Sequence, residues 1–73
     1  MSNQQTIAVW TNFMITRIKR KYSLSHAAFL KITKQYNVIP FLVKNYELLH
    51  YYDNDYIVED TTRYIVEQGG KVC

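Results

Sequence analysis

Between Met1 and Tyr46 the chain has no aspartate and no glutamate. Seven Lys/Arg fall in that stretch, whereas residues 47–73 carry all six acids and only two bases, so the two parts stand at +7 and −4. Such an asymmetry has two readings: an anionic partner for the first part, or attraction between the two parts, within one chain or between copies. Cysteine is nearly absent as well. Cys73 is the only one, which excludes an internal disulfide and a cysteine-built metal site and fits a reducing cytosol. One proline and two glycines argue against long irregular segments. No uninterrupted apolar run approaches the ~18 residues of a membrane span, and the N-terminus is polar. The expectation is a soluble, cytoplasmic protein without membrane contact.

What the chain does contain is apolar mass at helical spacing. Aromatic residues make up 15% of its 73 residues, seven of them Tyr, enough for one small folded domain. A core of this size supplies only about 3–5 kcal/mol, so a partner or a second copy is a natural complement. Ile7, Trp10, Met14 and Ile18 are spaced 3-4-4 and define the core face of a helix over about 4–21, with Ile15 and Tyr22 beside them. Ser25 is placed to cap a second helix, 26–36, burying Ala28, Phe29, Ile32 and Tyr36, and Asn37 suits the left-handed position after it.

A third helix is expected over 39–52, with Pro40 tolerated in its first turn. On a helical wheel Phe41, Leu42, Leu48, Leu49 and Tyr52 share one face, and Val43, Tyr46 and His50 form a narrower second stripe. Apolar on two sides, it is expected to be central. Asp53-Asn54-Asp55 ends it and caps a last helix, 54–68, with Ile57, Val58, Thr61, Tyr64 and Ile65 inward and Gly69-Gly70 as its stop. The i,i+4 pairs Glu59–Arg63 and Arg63–Glu67 are expected to support its outer side. The fold class is therefore all-α, a small four-helix domain with a central short apolar helix.

The residues that carry chemistry are few. Asp53-Asn54-Asp55 resembles the opening of a calcium loop, but Val58 and Tyr64 stand where that loop needs glycine and a bidentate acid. His26 and His50 are the only histidines, too few for a zinc site without distant carboxylates. No glycine-rich phosphate loop, nucleophile elbow or paired-carboxylate motif is present. Neither catalysis nor a cofactor is expected. Outside the core face of the first helix, Val9, Phe13, Arg17 and Arg20 form one row, and this apolar-basic stripe is the candidate partner surface. Cover by another helix of the same domain and a harmless exposed pair are the alternatives. Lys19 and Lys21 complete a run of cations that suits a helix C-terminus and also suits contact with an anion.

From Leu24 onward a further pattern is visible: Leu24-Ser25, the Tyr36-Asn37-Val38 turn, Phe41-Leu42-Val43, Tyr46, Leu49-His50, and Tyr56-Ile57-Val58-Glu59-Asp60 with Tyr64-Ile65. In these residues the chain resembles a family of small bacterial proteins catalogued as domain of unknown function thirty-seven ninety-one. Lys31, Lys44, Pro40 and Tyr51-Tyr52 depart from that family's usual pattern. Members are often encoded beside toxin-like proteins resembling ADP-ribosyltransferases. The resemblance implies an antitoxin that binds and neutralises a co-encoded toxin of that kind. A nucleic-acid-binding regulator using the basic first helix is the alternative, although the second helix offers only Lys31 and Lys34 among bases. A homodimer pairing its basic and acidic parts is a third reading.

Overall fold

A computed structural model describes residues 4–71; Cys73 and the polar residues 1–3 lie outside them. Those residues form five helices and no strand: α1 Gln4–Lys21, α2 His26–Tyr36, α3 Val38–Lys44, α4 Tyr46–Leu49 and α5 Asn54–Glu67. The chain is all-α, with five helices where four were expected.

The helix ends are set by local hydrogen bonds. Ser25 Oγ accepts from Ala28 N at 3.1 Å to start α2, and Asp53 Oδ1 accepts from Tyr56 N at 2.9 Å to start α5. Asn37, at φ 58, ends α2 and precedes α3 directly. Thr33 Oγ1 accepts from Ile39 N at 2.8 Å, satisfying one of the free donors of α3 from the preceding helix. Pro40, which has no N–H to satisfy, stands third in α3. α1 closes with Leu24 N donating to Lys19 O at 2.8 Å, which places Ser23 at φ 53. That is the left-handed position glycine fills without strain. Ser23→Gly should therefore stabilise the protein by about 0.5–1 kcal/mol. An unchanged or lowered urea midpoint would show that the Ser23 side chain contributes something the backbone does not reveal.

The expected helix over 39–52 is interrupted at Asn45, whose φ of −102 and ψ of 13 leave the helical region. Asn45 Nδ2 donates to Phe41 O at 2.8 Å, the same carbonyl that accepts the Asn45 backbone N–H. A short amide thus competes with the helical ladder. Leu48 N and Leu49 N both turn back to Asn45 O, where α4 begins. Val38, Leu42, Tyr46 and Leu49, spaced 4-4-3, are buried as one stripe, while Leu48, Tyr52 and Val43 are exposed. Leu48 and Tyr52 do not share a core face with Leu49, contrary to the helical wheel.

Met14 and Ile18 of α1, Phe29 of α2, Val38 and Leu42 of α3, Leu49 of α4, and Ile57, Val58 and Ile65 of α5 form one cluster. α3 touches all four other helices. Two threonines are buried in this setting, and each is satisfied within its own helix: Thr11 Oγ1 donates to Ile7 O at 2.7 Å and Thr61 Oγ1 to Ile57 O at 2.8 Å. Thr11 is buried while its predicted neighbours Ile7 and Trp10 are half-buried, so the inner face of α1 is rotated towards Thr11. At the other end, Phe41 stacks on Tyr64 with centroids 4.1 Å apart. Gly69, at φ 83, ends α5, and Gly70 packs so closely on the Tyr36 ring that a β-carbon there would overlap it.

Candidate protein-binding surface

Val9 and Phe13 are four residues apart on α1 and so stand one above the other on its surface. They are 66% and 48% exposed, large values for such apolar side chains. Both line an open hollow of about 610 Å³ whose other walls are Gln5, Thr6, Trp10 and Tyr46. Trp10 meets Tyr46 edge-on at 5.1 Å, Tyr46 stacks on His50 at 4.4 Å, and His50 reaches Tyr51 at 4.1 Å. His50 Nδ1 lies 2.7 Å from Tyr46 O. A carbonyl only accepts, so Nδ1 carries the hydrogen and the ring orientation is defined. The wall of the hollow is therefore held by aromatic contacts between α1 and α4.

Arg17 and Arg20, one and two turns further along α1, line a second open hollow of about 510 Å³ with Lys21, Asp55, Val58 and Glu59. Arg17 joins the two. Its guanidinium carbon is 5.9 Å from the Phe13 ring centroid, and its Nη2 is 3.5 Å from Asp55 Oδ1. With the two side chains 38% and 89% exposed, that ion pair is loosely held and screened by water.

Of the predicted stripe, Val9 and Phe13 thus belong to an apolar hollow, and Arg17 and Arg20 to a charged one beside it. Lys21 lies with the arginines, its Nζ 5.7 Å from the Tyr22 ring centroid. Lys19 turns elsewhere, its Nζ donating to His26 Nδ1 at 3.4 Å. Trp10 and Tyr46 escaped the sequence reading because both were assigned inward faces; each has one side in the protein and one on the hollow. The ion pairs on α5 also differ from expectation. Arg63 reaches Asp60 at 3.4 Å, one turn back. The expected partners Glu59 and Glu67 are exposed.

Both hollows are open to water. Among the described residues no group of three His, Cys, Asp or Glu could hold a metal ion, and no helix is long and apolar enough to cross a membrane. Asp53, read as the opening of a calcium-like loop, has an oxygen engaged as the cap of α5. The surface offers shape, aromatic walls and adjoining cations, which suit recognition.

No curated protein and no solved structure shows a significant match to the chain. A family pattern does match, over residues 10–68, a span that includes α2 to α5 and the part of α1 bearing Phe13, Arg17 and Arg20. With most of its length matched in this way, the chain belongs to the family described as protein of unknown function (DUF3791).

Proposed function

We propose that this protein is a non-catalytic binding module that recognises another protein through the outer face of α1, and that its partner is a co-encoded, ADP-ribosyltransferase-like toxin which it neutralises. The observation that carries the reading is the exposed pair Val9 and Phe13 on a hollow walled by Trp10 and Tyr46, with Arg17 and Arg20 directly beside it. Apolar and aromatic anchors next to arginine form the composition of an interface centre. The toxin comes from the family resemblance, and inhibition follows if the bound module covers the toxin's catalytic cleft, with the basic end of α1 in a site shaped for an anionic dinucleotide.

The test is to produce the toxin-like product of a neighbouring gene with and without this chain, and to measure binding and growth. Phe13→Ala should leave the helical content intact and weaken binding by about thirtyfold, the loss typical of a buried anchor at about 2 kcal/mol. Protection from the toxin should fall with it. A duplex that binds with a steep salt dependence, insensitive to Phe13 but sensitive to Arg17, Lys19, Arg20 and Lys21 alike, would replace this reading with nucleic-acid binding. Unfolding of Phe13→Ala would return the stripe to the core.

A further inference from the structure

We infer that the α1 surface takes one kind of occupant, an amphipathic helix with two apolar anchors one turn apart and carboxylates on its next turns, and that Asp55 holds the place of one of those carboxylates while the surface is empty. The inference rests on the protein-binding reading above and specifies the chemistry of the segment that binds.

The dimensions come from α1 itself. From Gln5 to Arg20 the row covers fifteen residue-to-residue rises, about 22 Å of helix at ~1.5 Å each. Its first half is apolar, with Val9 and Phe13 over the hollow walled by Trp10 and Tyr46; its second half is cationic, with Arg17, Arg20 and Lys21. A straight ridge of this length beside a hollow matches helix-in-groove recognition, and the described residues contain no strand edge to which an extended peptide could add. Charge complementarity sets the rest. α1 contains no acid, so a segment lying along it meets only cations from that helix once it passes Phe13. A phosphate backbone would fit less well, because it brings no apolar anchor for the exposed Val9 and Phe13.

Arg17 couples the two halves. It is placed over the Phe13 ring on one side and reaches Asp55 on the other, at 3.5 Å. A carboxylate arriving from a bound helix competes with Asp55 for that guanidinium. The intramolecular pair then weakens binding by its own worth, which for an exposed pair amounts to a factor of about two to five. Removing the Asp55 charge should therefore tighten binding, although it takes away a carboxylate that favours the first turn of α5 and so lowers stability slightly.

Trp10 is the only tryptophan in the chain and lines the apolar hollow, so its fluorescence reports occupancy directly. The probe is a synthetic helical peptide of about fifteen residues, a length set by the rise per residue. It bears two leucines one turn apart followed by glutamates on the next two turns. Two twins accompany it, one with lysine for glutamate and one with alanine for leucine. The acidic peptide should give a saturable Trp10 shift, and neither twin should match it. Asp55→Asn should tighten its binding about two- to fivefold more than Glu67→Gln does, a substitution that removes the same charge away from the hollow. Arg17→Glu should abolish binding.

No saturable response, an equal response to either twin, or an Asp55→Asn effect no larger than that of Glu67→Gln overturns the inference. So does displacement of the acidic peptide by a DNA duplex. Neutralisation that persists while the acidic peptide fails to bind would sink the inference and leave the proposed function standing. Peptide binding as described, with no toxin neutralised, would do the reverse.

Discussion

Replacing Phe29 by alanine should leave the protein largely unfolded at room temperature. Phe29 is 1% exposed and is the largest fully buried side chain among the described residues. It is the one fully buried residue that α2 contributes to the shared cluster, against which Ile32 and Tyr36 are only partly buried. Truncation of a buried phenylalanine removes about 3–5 kcal/mol, as lost transfer energy plus an unfilled cavity. The whole stability expected of so small a core is also about 3–5 kcal/mol. Leu30→Ala, at the adjoining exposed position, should change stability by no more than about 0.5 kcal/mol. Urea titration followed by circular dichroism reads both. A Phe29→Ala protein that keeps a cooperative transition near the parent midpoint would mean that α2 is held by something other than this cluster.

The second large effect is a contrast between neighbours. Leu49 is 2% exposed and Leu48 is 61% exposed; at about 100° per residue the two stand at opposite edges of the expected apolar face, and only one edge is buried. Leu49→Ala should cost about 2–5 kcal/mol, and Leu48→Ala no more than about 0.5 kcal/mol. Comparable destabilisation by the two substitutions would put Leu48 in the core beside Leu49, against its observed exposure. Asn45→Ala, which deletes the amide bonded to Phe41 O, tests the cause of the break between α3 and α4: if the side chain holds the break open, the helical signal should rise.

These contrasts separate what was legible in the residues from what was not. Helical periodicity, the caps at Ser25 and Asp53, the left-handed Asn37 and the glycine stop after α5 all depend on contacts within about six residues, and such contacts are written in local order. The row Val9, Phe13, Arg17, Arg20 is local in the same sense, because helical spacing alone places it on one side of α1. Membership of a family without assigned function was legible too, from the turn and α5 residues.

Only the tertiary structure decided how these pieces meet. Asn45 competes locally with the helical ladder, yet the choice of Leu49 over Leu48 for the interior depends on the space left by Met14, Val38 and Ile57. The hollow beside Phe13 exists because Tyr46 of α4 is carried against Trp10 of α1, a contact across thirty-six residues of chain that no helical wheel contains. Likewise Arg17 finds Asp55 across thirty-eight residues, and the apolar and basic halves of one row on α1 come to line two adjoining hollows walled by other helices. Local hydrogen bonding and side-chain spacing determined the helices and the residues on each side of them. Long-range packing, in which every helix must bury its apolar side against the same small core, determined which of those sides remained exposed.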